Sequence, residues 1–294
     1  MLYDLAALGA ACSIALSNLL ATPAIRQLGP VVFNCWRLAA ALLFVLGIAL
    51  LRGHWTWPSA GQVLTLGASS VVGTVIADSC FYVAMARLGP RRTAVLYTMW
   101  AAFAALLGYA VLGEALSWGK AFGIGCVVCG VWLAILFRQP GGVVADEKIH
   151  GSLRAGVMFG LLAALSAAAA VLIARPVMAA GVDPPIAAAI RATIGLVGLI
   201  AMSRLPGFRA PLPVDTAIVL RSAASGILGM GVGMTLVLFA LSARPVGVVS
   251  TLSSTTPVVI LPMLWWTNGV RPPAAAWIGA LFAVIGVAAI ASGY

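Results

Sequence analysis

Acidic side chains are nearly missing: seven Asp and Glu stand against 17 Lys and Arg in 294 residues, with two His. At 8% charged residues, 63% hydrophobic residues and a mean hydropathy of +1.11, the chain has too little polar surface to cover a soluble globule, so it belongs in a bilayer. The same scarcity argues against catalysis. His54 and His150 fall in connections, no metal-ligand cluster appears and no nucleophile has a base at recognisable spacing, so no catalytic residue, metal or cofactor is expected. Cysteine offers no framework either. Cys12, Cys35, Cys80, Cys126 and Cys129 all lie in apolar runs, and the CxxC of Cys126 and Cys129 lacks both a second pair for zinc and the soluble helix start of a redox site. They read as small packing residues.

The net charge of +10 comes from arginines spaced singly or in pairs between apolar runs, not from a cluster interleaved with aromatics. Nucleic acid is therefore not an expected partner, whereas anionic lipid headgroups are. With Asp4 at its start and no basic region ahead of it, the first apolar run reads as an uncleaved membrane helix.

What the chain has in abundance is apolar runs of the length that crosses a bilayer, about 20 residues. Ten spans are expected, near 3–24, 31–51, 60–87, 93–113, 118–137, 154–176, 185–203, 216–242, 246–267 and 274–292. Turn sequences such as Gly29-Pro30, Gly89-Pro90 and Arg271-Pro272-Pro273 punctuate them. The most polar connection separates five spans from five, so residues 1–137 and 154–294 form two units and 138–153 a linker.

The two units resemble each other. A shift of 156 residues puts Ala84 on Ala240, Leu96 on Leu252, Gly113 on Gly269, Gly123 on Gly279 and Gly130 on Gly286; with a small slip, Arg37 falls on Arg191 and Pro23 on Pro176. Since each unit has an odd number of spans, the second enters the membrane from the opposite side. Inverted repeats of this kind are the construction of secondary transporters, which bind substrate near the midplane between repeats.

These features, with Arg37 and Arg191 in the second span of each unit, the run Leu112 to Ser117 followed by Gly123 and Gly130, and Pro257, Gly269, Gly279 and Gly286 in the second unit, resemble the ten-span EamA-type branch of the drug/metabolite transporter superfamily. Val270 stands where that family usually has Glu, and Ala101 where it usually has Pro. The aromatics of the third and fourth spans are similar to those of bacterial aromatic amino acid exporters. The resemblance implies an all-helical inner-membrane carrier, two five-helix repeats and cytoplasmic termini; the distribution of Arg and Lys between loops points instead to external termini by the positive-inside rule.

Asp78 is the one carboxylate well inside a span, where a charge costs about 2.5–3.5 kcal/mol on insertion scales and so needs water, a partner or a substrate. It reads as a contact for a substrate ammonium or a proton-coupling group, or as a hydrogen-bonded packing residue. Tyr82, four residues on, shares its face, as Tyr97 and Trp100 share theirs. These rings suit stacking on an apolar or aromatic substrate, with belt anchoring as the alternative. Under the repeat shift Asp78 corresponds to Met234, Tyr97 to Ser253 and Trp100 to Thr256, so one unit brings acid and rings and the other Met230, Met234 and hydroxyls, unless the hydroxyls bond back to their own helix. Arg37 and Arg191 lie toward span starts, where carbonyls, lipid phosphate or an incoming carboxylate would pair with them. Gly226, Gly229, Gly231 and Gly233 in the eighth span mark close packing and bending.

The expected function is export of small metabolites, amino acids and aromatic ones among them, by alternating access as a monomer, with protons as a coupling ion. A drug or nucleotide-sugar carrier of the same fold is the alternative, and a membrane enzyme or assembly subunit a more distant one.

Overall fold

Long apolar stretches without interior breaks wind into helices because, away from water, only intrahelical bonds satisfy every backbone group. The computed structural model describes residues 2–52, 57–113, 117–136, 151–205, 215–241, 252, 255–269 and 271–292, and contains no strand among them. Among the described residues ten helical spans follow one another: α1 Leu2–Leu28, α2 Pro30–Arg52, α3 Ala60–Leu88, α4 from Pro90–Tyr97 and Met99–Leu112, α5 Trp118–Leu136, α6 Leu153–Ala179, α7 Pro184–Ser203, α8 from Thr216 to Leu241, α9 Thr256–Asn268 and α10 Ala274–Ser292. Among the described residues, seven helices are long and apolar enough to cross a bilayer, and Trp118–Leu133, Thr256–Thr267 and Ala274–Ile290 are shorter apolar helices.

The expected limits agree to within a few residues, with two differences. Helix α1 runs on through Pro23 to Leu28, and α4 begins at Pro90, directly after Gly89, whose φ of 83° makes the turn from α3. Residues 246–251, 253 and 254 of the expected ninth span, along with His54, His150, Trp55 and most of the linker, lie outside the described residues.

Burial is inverted relative to a water-soluble protein. Leu51, Trp118 and Trp266 are about nine-tenths exposed, at 89%, 92% and 91%, while Ser17, Asn34, Ser69, Ser70, Thr74, Ser222 and Ser225 are buried. Polar groups inside and apolar side chains outside are what a hydrocarbon surround selects. The exposed Trp57 lies just before α3 and Trp118 at the start of α5, where interface anchors sit.

The two units interlock through a set of contacts that the repeat makes twice. Ser69 donates a hydrogen bond to the carbonyl of Ala170 at 2.7 Å, and its counterpart Ser225 donates to the carbonyl of Ser17, counterpart of Ala170, at 3.0 Å. Ser70 donates to the Arg191 carbonyl; its counterpart Gly226 has no side chain and lies directly against the Arg37 carbonyl. In this way α3 packs on α6 and α7 of the other unit, and α8 on α1 and α2.

Where these contacts converge, both helices loosen at equivalent places. Val71–Asp78 of α3 and Ile227–Gly233 of α8 are π-helical, and the first residues of the two segments are 156 apart. A π segment shifts the hydrogen-bond ladder by one residue and marks a point of bending or function.

Candidate functional site

Asp78 ends the π segment of α3, so its side chain leaves the helix where the backbone has just been re-phased. It faces Arg37 of α2, whose Nη1 lies 3.5 Å from an Asp78 carboxylate oxygen. Arg37 is 10% exposed and Asp78 24%, which places the pair inside the bundle with part of the acid still uncovered. Arg37 thus lies deeper than expected of an interfacial arginine: seven residues beyond Pro30, it is about 10 Å along α2.

Three further contacts hold Arg37. Its Nη1 donates to the side-chain oxygen of Asn34 at 3.3 Å, its guanidinium carbon stands 5.4 Å from the centre of the Tyr82 ring, and a terminal nitrogen lies 3.3 Å from where a Cβ on Gly229 would stand. The last contact crosses into the π segment of α8. Its counterpart is present as well: a terminal nitrogen of Arg191 lies 3.1 Å from the corresponding point on Gly73, in the π segment of α3. Each arginine therefore rests on a glycine of the opposite unit, and both act electrostatically on Asp78.

The aromatic residues form a chain beside this pair. Phe33 and Tyr82 meet edge to face at 4.8 Å, Phe81 and Tyr82 at 5.2 Å, and Phe81 and Tyr97 at 4.8 Å. Tyr82 is 2% exposed, so its ring fills space under Arg37, whereas Tyr97 at the end of the chain is half-buried. Trp100 is half-buried as well but packs against the cluster of α4, α5 and α10 built around Leu96, Val127 and Val287. Met230 packs against the α2–α7 cluster of Leu38 and Leu199. Thr256 begins α9; Ser253 and the side chain of Met234 lie outside the described residues. Thr255 donates back to the Leu252 carbonyl at 2.7 Å, which is the local bonding considered for this hydroxyl run.

Asp78, Tyr82 and Tyr97 are thus brought together, with Arg37, Asn34, Phe33 and Phe81 added to them. Spacing within α2 put Phe33, Asn34 and Arg37 in one or two turns, and a polar Asn one turn from an Arg inside an apolar span was the available signal. A separate cavity of about 320 Å³ between α4, α5 and α6 is lined by Leu96, Met99, Val128, Val131, Trp132, Val157 and Leu161. It contains no charged group.

The sequence matches the EamA-like transporter family over residues 1–136 and 154–292. No curated protein matches it significantly. A solved structure described as "Crystal structure of protein" is similar at 17% identity over 96% of this chain and 94% of that one, with a TM-score of 0.65, a likeness of fold. Ten apolar helices, a doubled set of interlocking contacts and a family match over both units lead to one statement: the chain belongs to the EamA-like transporter family, as a multi-pass membrane transporter of the drug/metabolite type.

Proposed function

We propose that the protein exports small metabolites, amino acids and aromatic ones among them, across a bacterial inner membrane by alternating access. The observation that carries this reading is the Arg37–Asp78 pair, with an acid that is 24% exposed and within electrostatic reach of the half-buried Tyr97. An ion pair with one 3.5 Å contact is loosely made, so the carboxylate keeps capacity for a second cation. A substrate ammonium satisfies that capacity, and an aromatic or apolar side chain meets Tyr97. A proton can occupy the same acid in exchange, which supplies coupling.

The charge inventory favours this class over sugar nucleotides. Arg37 and Arg191 against Asp78 leave one positive charge, too little for a substrate carrying two phosphate charges. The paired π segments support alternating access, since they allow α3 and α8 to bend at equivalent depths while the interlocking serine contacts persist.

The test is counterflow of labelled phenylalanine, tryptophan and threonine into proteoliposomes of the purified protein, with and without an imposed pH gradient. Saturable uptake of the aromatic pair that responds to the gradient is the expected result. Uptake of none of the three would overturn the amino-acid assignment.

A further inference from the structure

The repeat makes an arginine twice and its acid once. Arg37 and Arg191 occupy equivalent places in α2 and α7, and each sets a terminal nitrogen against a glycine in the π segment of the opposite unit, Gly229 and Gly73. Arg37 has its carboxylate in its own unit, Asp78 at 3.5 Å. The position equivalent to Asp78 is Met234, which ionises under no condition. Among the described residues the Arg191 guanidinium makes no hydrogen bond and no ion pair; only its backbone carbonyl is engaged, by Ser70. It is half-buried, and Asp78 and Tyr97 lie within its electrostatic reach.

A guanidinium inside a membrane bundle without an anion in direct contact is an expensive arrangement, tolerated where function requires it. The planar fork of Arg matches a carboxylate through two parallel hydrogen bonds, a geometry that Lys lacks. Gly73 allows that fork to lie close to α3, because a Cβ there would stand 2.8 Å from the Ala170 Cβ and 3.1 Å from the Arg191 nitrogen. Of the three charges in this region, two are positive and one negative, so an added carboxylate is favoured over an added ammonium.

We propose that Arg191 anchors the carboxylate of the transported molecule, supplying from the substrate the anion that the second repeat lacks. This rests on the transporter reading above and deepens it: the carboxylate is the group selected, and the ammonium at Asp78 is secondary. A carboxylate without an ammonium then binds at least as well as the amino acid, and an amine or amide without a carboxylate binds poorly.

The experiment compares 3-phenylpropionate with phenylalaninamide as stabilisers of the purified full chain in thermal melts, using the wild type, Arg191→Met and Arg191→Lys. The wild type is expected to be stabilised by the acid and not the amide. Arg191→Met is expected to lose that response, with binding weaker on the order of tenfold or more, and Arg191→Lys to keep part of it. A merely structural arginine would lower the melting temperature without ligand and leave the stabilisation by the acid unchanged. Labelling of Arg191 by phenylglyoxal in the wild type, read by mass spectrometry, answers the same question without a variant that must fold: the acid protects and the amide does not. The anchor is overturned if acid and amide act alike on the wild type, or if Arg191→Met keeps the wild-type preference. If labelled phenylalanine fails to counterflow while the acid still stabilises through Arg191, the amino-acid assignment falls and the anchor stands.

Discussion

Gly123 of α5 and Gly286 of α10 meet with no side chain between them: a Cβ on either would stand 2.6 Å from the other's carbonyl oxygen. Gly130 and Gly279 repeat the contact, with 2.6 Å from a Cβ on Gly130 to the Gly279 carbonyl. Because the obstructing atoms are backbone, the helices must separate to admit a methyl group. Gly123→Ala should therefore destabilise the protein by about 1–3 kcal/mol, the usual cost of overpacking, whereas Gly125→Ala, with nothing within 4 Å, should melt like the wild type. Melting curves of both variants in detergent decide it; equal behaviour would show that α5 and α10 are not held at this distance.

The units also exchange a large and a small residue across equivalent contacts. Val75 of α3 fills the space at Gly198 of α7, 2.7 Å from a Cβ placed there, and in the other unit Gly231 of α8 receives Phe44 of α2 at 2.6 Å. Gly198→Ala should destabilise by about 1–3 kcal/mol, and adding Val75→Ala should recover most of the loss because it removes the methyl that collides. Strict additivity of the two changes in a double-mutant cycle would mean that the side chains do not meet.

This exchange shows how far the sequence could be read. Apolar run length is a local property, so the ten spans were visible, as was the repeat, through glycines and arginines that hold their spacing. Asp78 stood out because a carboxylate is rare inside an apolar span. The partner of Asp78 was not visible. Arg37 sits near enough to the start of α2 to pass for an interfacial residue, and only the packing of α2 against α3 and α8 turns it inward. Tyr82 and Tyr97 were found by their spacing from Asp78 and Trp100, but the rings joining them belong to Phe33 and Phe81, whose apolar neighbours hide them. The π segments left a trace only in α8, as a glycine run; that of α3 contains one glycine and reads as ordinary helix.

Tyr82 offers a division between ring and hydroxyl. Its ring is held edge to face by Phe33 and Phe81 and lies under Arg37, so Tyr82→Phe keeps every ring contact and should leave melting and transport close to wild type. Tyr82→Ala opens a cavity in the cluster of Ile25, Phe33 and Met85 and should cost roughly 3–5 kcal/mol, with loss of transport as Arg37 loses its support. A Tyr82→Phe variant that melts normally but no longer transports would instead assign a role to the hydroxyl.

Replacing Asp78 tests stability and transport separately. Asp78→Asn keeps the shape and removes the charge, leaving Arg37 with the Asn34 oxygen and the Tyr82 ring. Removing one partner of a fully buried pair costs about 3–5 kcal/mol, and since Asp78 is 24% exposed the loss here should fall below that range. Arg37→Gln added to Asp78→Asn removes the stranded charge as well, so the double variant should be more stable than Asp78→Asn alone. Transport should not follow that recovery, because neither variant restores an anion beside Tyr97 to receive a substrate cation or a proton. Counterflow and melting measured on the same preparations separate the two quantities. Wild-type transport by Asp78→Asn would remove the acid from the route, and a double variant no more stable than the single one would show that the 3.5 Å contact carries no coupling energy.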